Sequence, residues 1–212
     1  AAGVIAGTVA SDDGPEAGVW VIAETNELET KFAKIVVTDD RGRFVLPQLP
    51  EATYDVWVRG YGLVDSPKQQ VSPGTRLDLR AVVAPDARAA AQYYPAGYWY
   101  SLLEVPGPDE FPGTGPEGNG ISPDVPSQAA WLRGLKSGGG TACHALGNKA
   151  TREIPPQLGE FDSLVAAWDR RIQSGQAGRS MSGALDRMGR RRALEIYADW
   201  TGRIMAGEVP PA

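Results

Sequence analysis

The sequence predicts an α+β chain in two parts: an antiparallel β-sandwich over residues 1–86 and a small helical bundle over residues 127–206, joined by an ordered connector over residues 87–126. Three observations predict it. Short alternating apolar runs separated by turn residues fill the first part; residues 95–126 hold 7 Pro and 6 Gly; and beyond Ser127 the apolar spacing changes from two to three or four. With 212 residues, 42% hydrophobic and 22% charged, the chain has enough length and apolar content for one large domain or two small ones.

The strands are predicted at residues 4–9, 18–23, 34–38, 43–46, 54–59 and 77–83. Between them stand Asp12-Asp13-Gly14-Pro15, Asp39-Asp40-Arg41-Gly42, Pro47 with Pro50, and Ser72-Pro73-Gly74, which supply preset or positive φ where a strand must reverse. Six or seven such strands in this length imply a sandwich. Alternation places Val19, Val21, Val56 and Val58 on one face, and Trp20, Ile22, Trp57 and Arg59 on the other, so one face is expected to be core.

In the connector, Pro removes donors and Gly costs backbone entropy, which excludes helix over most of residues 95–126. The aromatics Tyr93, Tyr94, Tyr98, Trp99 and Tyr100 at its start argue that it packs as an irregular ordered wrap. Ser127 is expected to cap a helix over 128–135. Apolar residues at 161, 164, 165, 168 and 172 predict a second, and Ser180 is expected to cap one long helix through Met205. The ending over 207–212 reads as a tail or linker.

Twenty-six acidic residues against 21 basic ones leave a formal charge of -5, carried wholly by the first 86 residues, which argues against general attraction to nucleic acid or anionic membrane. No run reaches the roughly 20 apolar residues of a membrane span. Ala1-Ala2 reads as a mature, processed N-terminus.

One Cys and one His exclude an internal disulfide framework and any site built from several His or Cys ligands of this chain. The two are adjacent, Cys143-His144, in a Gly-rich segment between two predicted helices. In c-type haem attachment, C-x-x-C-H bonds two thiols to the haem vinyl groups while the adjacent His takes the iron. Here Gly140 stands at the first Cys position, so the expectation is haem c held by a single thioether from Cys143, with His144 as the proximal ligand. Met181, after the loop Ser174-Gly-Gln-Ala-Gly-Arg-Ser180, is the expected distal ligand, with Met188 as the fallback. Arg152, or one of the 7 Arg between 169 and 192, is available to pair with haem propionates or with an acidic partner. Two other readings of Cys143-His144 stay open: a buried thiol beside a hydrogen-bonded His, and a reactive cysteine, which an adjacent His is poorly placed to activate. Helical Met residues are also ordinary core. Asp12-Asp13-Gly14 and Asp39-Asp40 lack the ligand count of a calcium loop and read as turns. Arg190, Arg191 and Arg192 cannot share one helix face and read as a solvated or ion-paired surface.

Residues 3–84 resemble the carboxypeptidase regulatory-like, transthyretin-like family. The resemblance rests on Gly7-Thr-Val, Gly18-Val-Trp-Val-Ile-Ala, Thr38-Asp-Asp-Arg-Gly-Arg-Phe-Val-Leu-Pro and Leu49-Pro-x-x-x-Tyr54-Asp-Val-Trp-Val. It implies a seven-stranded, prealbumin-like sandwich, non-catalytic, in a periplasmic or secreted bacterial protein. The second part resembles the c-type cytochrome region that follows such a sandwich in long bacterial proteins. It keeps Cys143-His144-Ala-Leu-Gly-Asn-Lys-Ala-Thr-Arg-Glu-Ile-Pro155, then Ser174-Gly-Gln-Ala-Gly and Asp199-Trp-Thr, and departs at Gly140. This implies a cytochrome c-like helical domain, and a tail leading to a further domain such as a β-propeller.

The expected function is electron transfer through one haem, with a redox partner or a linked further domain and no catalytic residues in this chain. The alternative is a haem-free adhesion, scaffold, or carbohydrate- or protein-binding module that keeps the cytochrome-like fold. Gly140 is the feature that favours it.

Overall fold

The computed structural model describes residues 3–139 and 145–211, which fall into two compact units, Ala1–Tyr94 and Pro95–Pro211. The stretch expected as a connector is divided between them. Residues 87–94 belong to the first unit and residues from Pro95 onward to the second.

In the first unit the described strands are β1 (Ile5–Ser11), β2 (Gly14–Pro15), β3 (Trp20–Thr25), β4 (Phe32–Val37), β5 (Arg43–Leu46), β6 (Tyr54–Arg59), β7 (Leu63–Val64), β8 (Gln69–Val71), β9 (Arg76–Arg80) and β10 (Val82–Val83). One sheet joins β2, β1 and β5, with β9 on the other side of β1; a second runs β4-β3-β6-β8; β7 and β10 form a short ladder. The β5 and β6 bounds are those read from alternation. Of the four shortest strands, β10 lies within the run expected at 77–83, while β2, β7 and β8 were not anticipated, because two or three residues carry no readable period.

Both larger sheets feed one core. Ile5, Val9, Phe44, Leu46, Leu77 and Leu79 come from the first, and Val21, Ala23, Tyr54, Val56 and Val58 from the second. This is a β-sandwich, and each fully buried aliphatic side chain in it is worth about 1.5–3 kcal/mol of transfer free energy. The Val19, Val21, Val56 and Val58 face is core as expected. Ile22 and Trp57 on the opposite face are buried too, Trp57 beneath the Lys68 ammonium at 4.1 Å from its ring centroid.

The expectation of a purely antiparallel arrangement is corrected at one pair. β1 and β9 run parallel, from Ala6 beside Arg76 to Ala10 beside Arg80. The run expected at 77–83 is also divided: Ala81 still donates to Ala10 O, and the chain then leaves β1 so that β10 can pair with β7. Gly7 permits the parallel approach, since a Cβ there would lie 1.7 Å from Leu77 O.

The turn after β4 is tied by Asp39, whose carboxylate accepts from the Arg41 and Arg43 backbone N–H groups, both at 2.9 Å, and from Arg43 Nε at 2.7 Å. These bonds, the Arg43 guanidinium foremost, pull its carboxyl from the usual 3.8 down to about 2. A carboxyl lowered on folding contributes stability above its unfolded value and loses it as pH falls through the folded one. Acid unfolding of the chain should therefore steepen between about pH 4 and pH 2, and Asp39→Asn should flatten that interval. Equal slopes for the two proteins would remove Asp39 from the account.

In the second unit the described residues form α2 (Ala96–Tyr100), α3 (Gln128–Gly134), α4 (Lys149–Arg152), α5 (Leu164–Ile172), α6 (Gly178–Met188) and α7 (Arg190–Met205); α1 (Ala87–Ala91) belongs to the first unit. Ser127 caps α3 through Ala130 N–H, as expected. The second predicted helix starts later, where Ser163 caps α5. The single helix expected from Ser180 to Met205 is corrected to two. Ser180 lies inside α6, and the chain breaks at Gly189, φ +100°. The reason lies outside the helix: the segment Gly120-Ile121-Ser122 passes so close that Ser122 N–H donates to Met188 O. Arg190 pairs with Asp169 and Asp186, Arg191 with Glu195, and Arg192 with Glu110, so the arginine run is an ion-paired surface. Among the described residues no helix is long and apolar enough to cross a membrane.

Candidate functional site

Aromatic residues join α5 to α7. Trp168 stacks on Tyr197 with centroids 4.8 Å apart, and its indole N–H donates to Thr201 Oγ1, which itself donates to Arg152 O. The Trp200 indole N–H donates to Trp99 O, fixing α7 against α2. Burial pushes the Tyr197 phenol far above the usual tyrosine value, so it stays neutral.

Beside this frame lies a cavity of about 400 Å3, within the range of ligand and cofactor sites. Leu146, Pro155, Leu158, Ile172 and Leu185 make its aliphatic wall, Trp168 and Tyr197 its aromatic wall, and Met181 lines it with a thioether. Arg171 is the cation among the described lining residues, which include no carboxylate. The loop after α5 brings Met181 there. Gly175 takes φ +75°, and Gly178 packs where a Cβ would be 2.4 Å from Gln173 O, so α6 turns back against α5.

The chain entering the cavity wall is held by short-range bonds. Asn148 caps α4, and Gly147 N–H donates to Thr151 Oγ1 at 2.9 Å. Gly147 has φ +104°, and a Cβ on it would fall 2.1 Å from Ala96 O. The alternation and spacing rules that locate helices are blind to such an approach, so the reason for glycine in Leu146-Gly147-Asn148 was not legible in the sequence.

The expected site residues fall as follows. Cys143 and His144, with Gly140, lie outside the described residues; Leu146, two positions beyond His144, lines the cavity. Met188, the fallback ligand, is buried beside Gly134 and lines a separate cavity of about 240 Å3. Arg152 is 4% exposed, lies 3.8 Å over the Trp99 ring and donates to Gly147 O at 3.0 Å; its buried Nε has no partner. It is not among the residues lining the cavity. Arg171 donates to Glu153 O at 2.6 Å and to Ala150 O, tying α5 to α4. Burial lowers the pKa of both guanidiniums, yet an arginine stays charged. Among the described residues, no three His, Cys, Asp or Glu side chains gather to hold a metal ion.

No family model matches the chain, and no curated protein matches it. Among solved structures, the streptococcal ancillary pilin matches at 15% identity and TM-score 0.33, over 40% of this chain and 30% of that one. The Bacillus anthracis TIE protein matches at 21% identity and TM-score 0.31, over 39% and 17%. Catechol 1,2-dioxygenase from Pseudomonas arvilla C-1 matches at 12% identity and TM-score 0.31, over 42% and 54%. The chain thus spans less than two thirds of the length of each of these three.

Proposed function

We propose that the second unit is a cytochrome c-like domain that binds one haem and transfers electrons, and that the sandwich is its non-catalytic, seven-stranded transthyretin-like accessory module in a periplasmic or secreted protein. One observation carries the reading. The methionine singled out by its place after the Gly-rich loop, Met181, and Leu146, two positions beyond His144, line the same apolar cavity.

The chemistry of the lining fits such a group. A thioether is a soft ligand suited to haem iron, the aliphatic and aromatic walls exclude water, and Arg171 supplies positive charge for carboxylates. In this reading Cys143 would hold the haem through one thioether, His144 and Met181 would ligate its iron, and Arg171, which lines the cavity, would balance propionate charge in place of Arg152, which does not line it. When bound, haem supplies a one-electron iron couple whose potential is set by the axial ligands and by burial. The chain's own part is to place its ligands. Asn148 and Gly147 hold the segment from Gly147 to Thr151, and the turn through Gly175 and Gly178 leads to Met181 in the cavity wall. A haem held there would pass its electron to a redox partner or to a further linked domain.

Production in a bacterial host with active cytochrome maturation, followed by a visible spectrum and a pyridine haemochrome, tests this. The expected result is a red protein with one thioether-type attachment. A folded, colourless protein would favour the haem-free scaffold or adhesion module instead, with Gly140 as the reason.

A further inference from the structure

We propose that the haem-free chain binds a fatty-acid-type carboxylate in the cavity walled by α4, α5, α6 and α7, with its hydrocarbon chain against the apolar walls and its carboxylate on Arg171. The inference goes beyond the haem reading and does not rest on it, because it uses neither Cys143 nor His144. The lining has two parts. Leu158, Trp168, Ile172, Met181 and Leu185 are among the residues that make an apolar space of about 400 Å3, the size of a small-molecule site. Arg171 is the one charged residue among the described lining residues. Backbone carbonyls hold it in place: its Nη1 donates to Glu153 O at 2.6 Å and its Nη2 to Ala150 O. These bonds use two of its five N–H groups, and the other three have no acceptor among the described residues. Burial lowers its pKa, and no neighbouring carboxylate offsets that cost.

Charge and shape together select the occupant. A cation with spare donors in an apolar wall is costly to leave without a counter-ion, and a carboxylate offsets that cost through charge-assisted bonds. No group of the lining competes for the role: Tyr197 is kept neutral by burial, and Asn148, Thr151, Gln157 and Ser174 carry no charge. A small inorganic anion would answer Arg171 alone and leave the aliphatic and aromatic walls against water, so the ligand needs an apolar body as well. A flexible hydrocarbon chain suits walls that are mostly aliphatic, with the adaptable Met181 side chain among them. Lys149, Arg170 and Arg179 are exposed on α4, α5 and α6, the elements that wall the cavity, and favour the approach of an anion over that of a neutral lipid.

Isothermal titration of the full chain with dodecanoate, on protein made without cytochrome maturation and free of haem, provides the test. One dodecanoate per chain should bind, with a dissociation constant of about 1–100 μM. Dodecanol, the same chain without the charge, should bind about ten-fold or more weakly, a comparison that needs no variant. Arg171→Gln should weaken dodecanoate about ten- to hundred-fold and leave dodecanol unchanged. Met181→Trp, which fills the cavity, should abolish the binding of both. If Arg171→Gln unfolds because α4 and α5 lose their tie, the wild-type comparison of dodecanoate with dodecanol decides. Absence of dodecanoate binding overturns the proposal, as does equal binding of dodecanol or binding unaffected by Met181→Trp. A chain that becomes red under maturation yet binds no dodecanoate when haem-free overturns this proposal and leaves the haem reading standing; a colourless chain that binds dodecanoate does the reverse.

Discussion

Met181→Ala, in haem-loaded protein, is expected to keep the red colour, shift the spectrum toward high spin and lower the reduction potential. His144→Ala should abolish stable holo-protein, and Cys143→Ala should leave haem extractable by acidic organic solvent. The three differ because each residue does a different thing in the proposed site. Thioether ligation favours reduced iron, so its loss lowers the potential. Losing the histidine removes the proximal ligand, and losing the thiol removes the covalent bond. Met188→Ala is the internal control. It lines the other cavity, against Gly134, so it should cost stability and leave the spectrum unchanged. Should Met188→Ala change the spin state and Met181→Ala not, the assignment of the thioether to Met181 fails. Haemochrome spectra, redox titration and solvent extraction separate these outcomes without any assay of turnover.

Gly189→Ala is expected to destabilise the second unit by about 3 kcal/mol or more, among the largest single effects in the chain. Two costs add. The backbone at φ +100° is one that side-chain-bearing residues rarely adopt, and the new Cβ would lie 2.3 Å from Gly120 O and 2.5 Å from Ser122 N. Relief requires moving either the passing segment or the start of α7, which carries Tyr197 and Trp200. Gly183→Ala, inside α6, is the contrast. Its nearest neighbour is the Arg187 Nη1 at 3.5 Å, so the change should stabilise the helix by about 0.5–1 kcal/mol. Thermal unfolding followed by helical circular dichroism should move in opposite directions for the two variants. Movement in the same direction would show that the break between α6 and α7 is not held by the passing segment.

The parts of this protein legible in the sequence are those set by local period and local capping. Alternation located Arg43–Leu46, where every second side chain is exposed, and Tyr54–Arg59, where Tyr54, Val56 and Val58 mark the core face although Trp57 on the other face is buried too; no distant residue is needed to see that period. Ser127 announced α3 because its hydroxyl reaches a backbone N–H three residues on. The Gly-rich loop before Met181 was readable as the place where a helix turns back, and that made one methionine of several a candidate.

What only the tertiary structure decided involves residues far apart in the chain. Strand period is the same for parallel and antiparallel pairing, so nothing local could show that β1 meets β9 in parallel. The stripe of apolar residues through Met181 and Trp200 reads as one helix until Gly120-Ile121-Ser122 is seen against Gly189. Helical spacing also could not choose between Met181 and Met188, seven residues apart and therefore nearly on one face. In the fold they part: Met181 lines the cavity walled by α5, α7 and the chain around α4, and Met188 a smaller one, because the approach of these elements is set by tertiary packing and by no local rule.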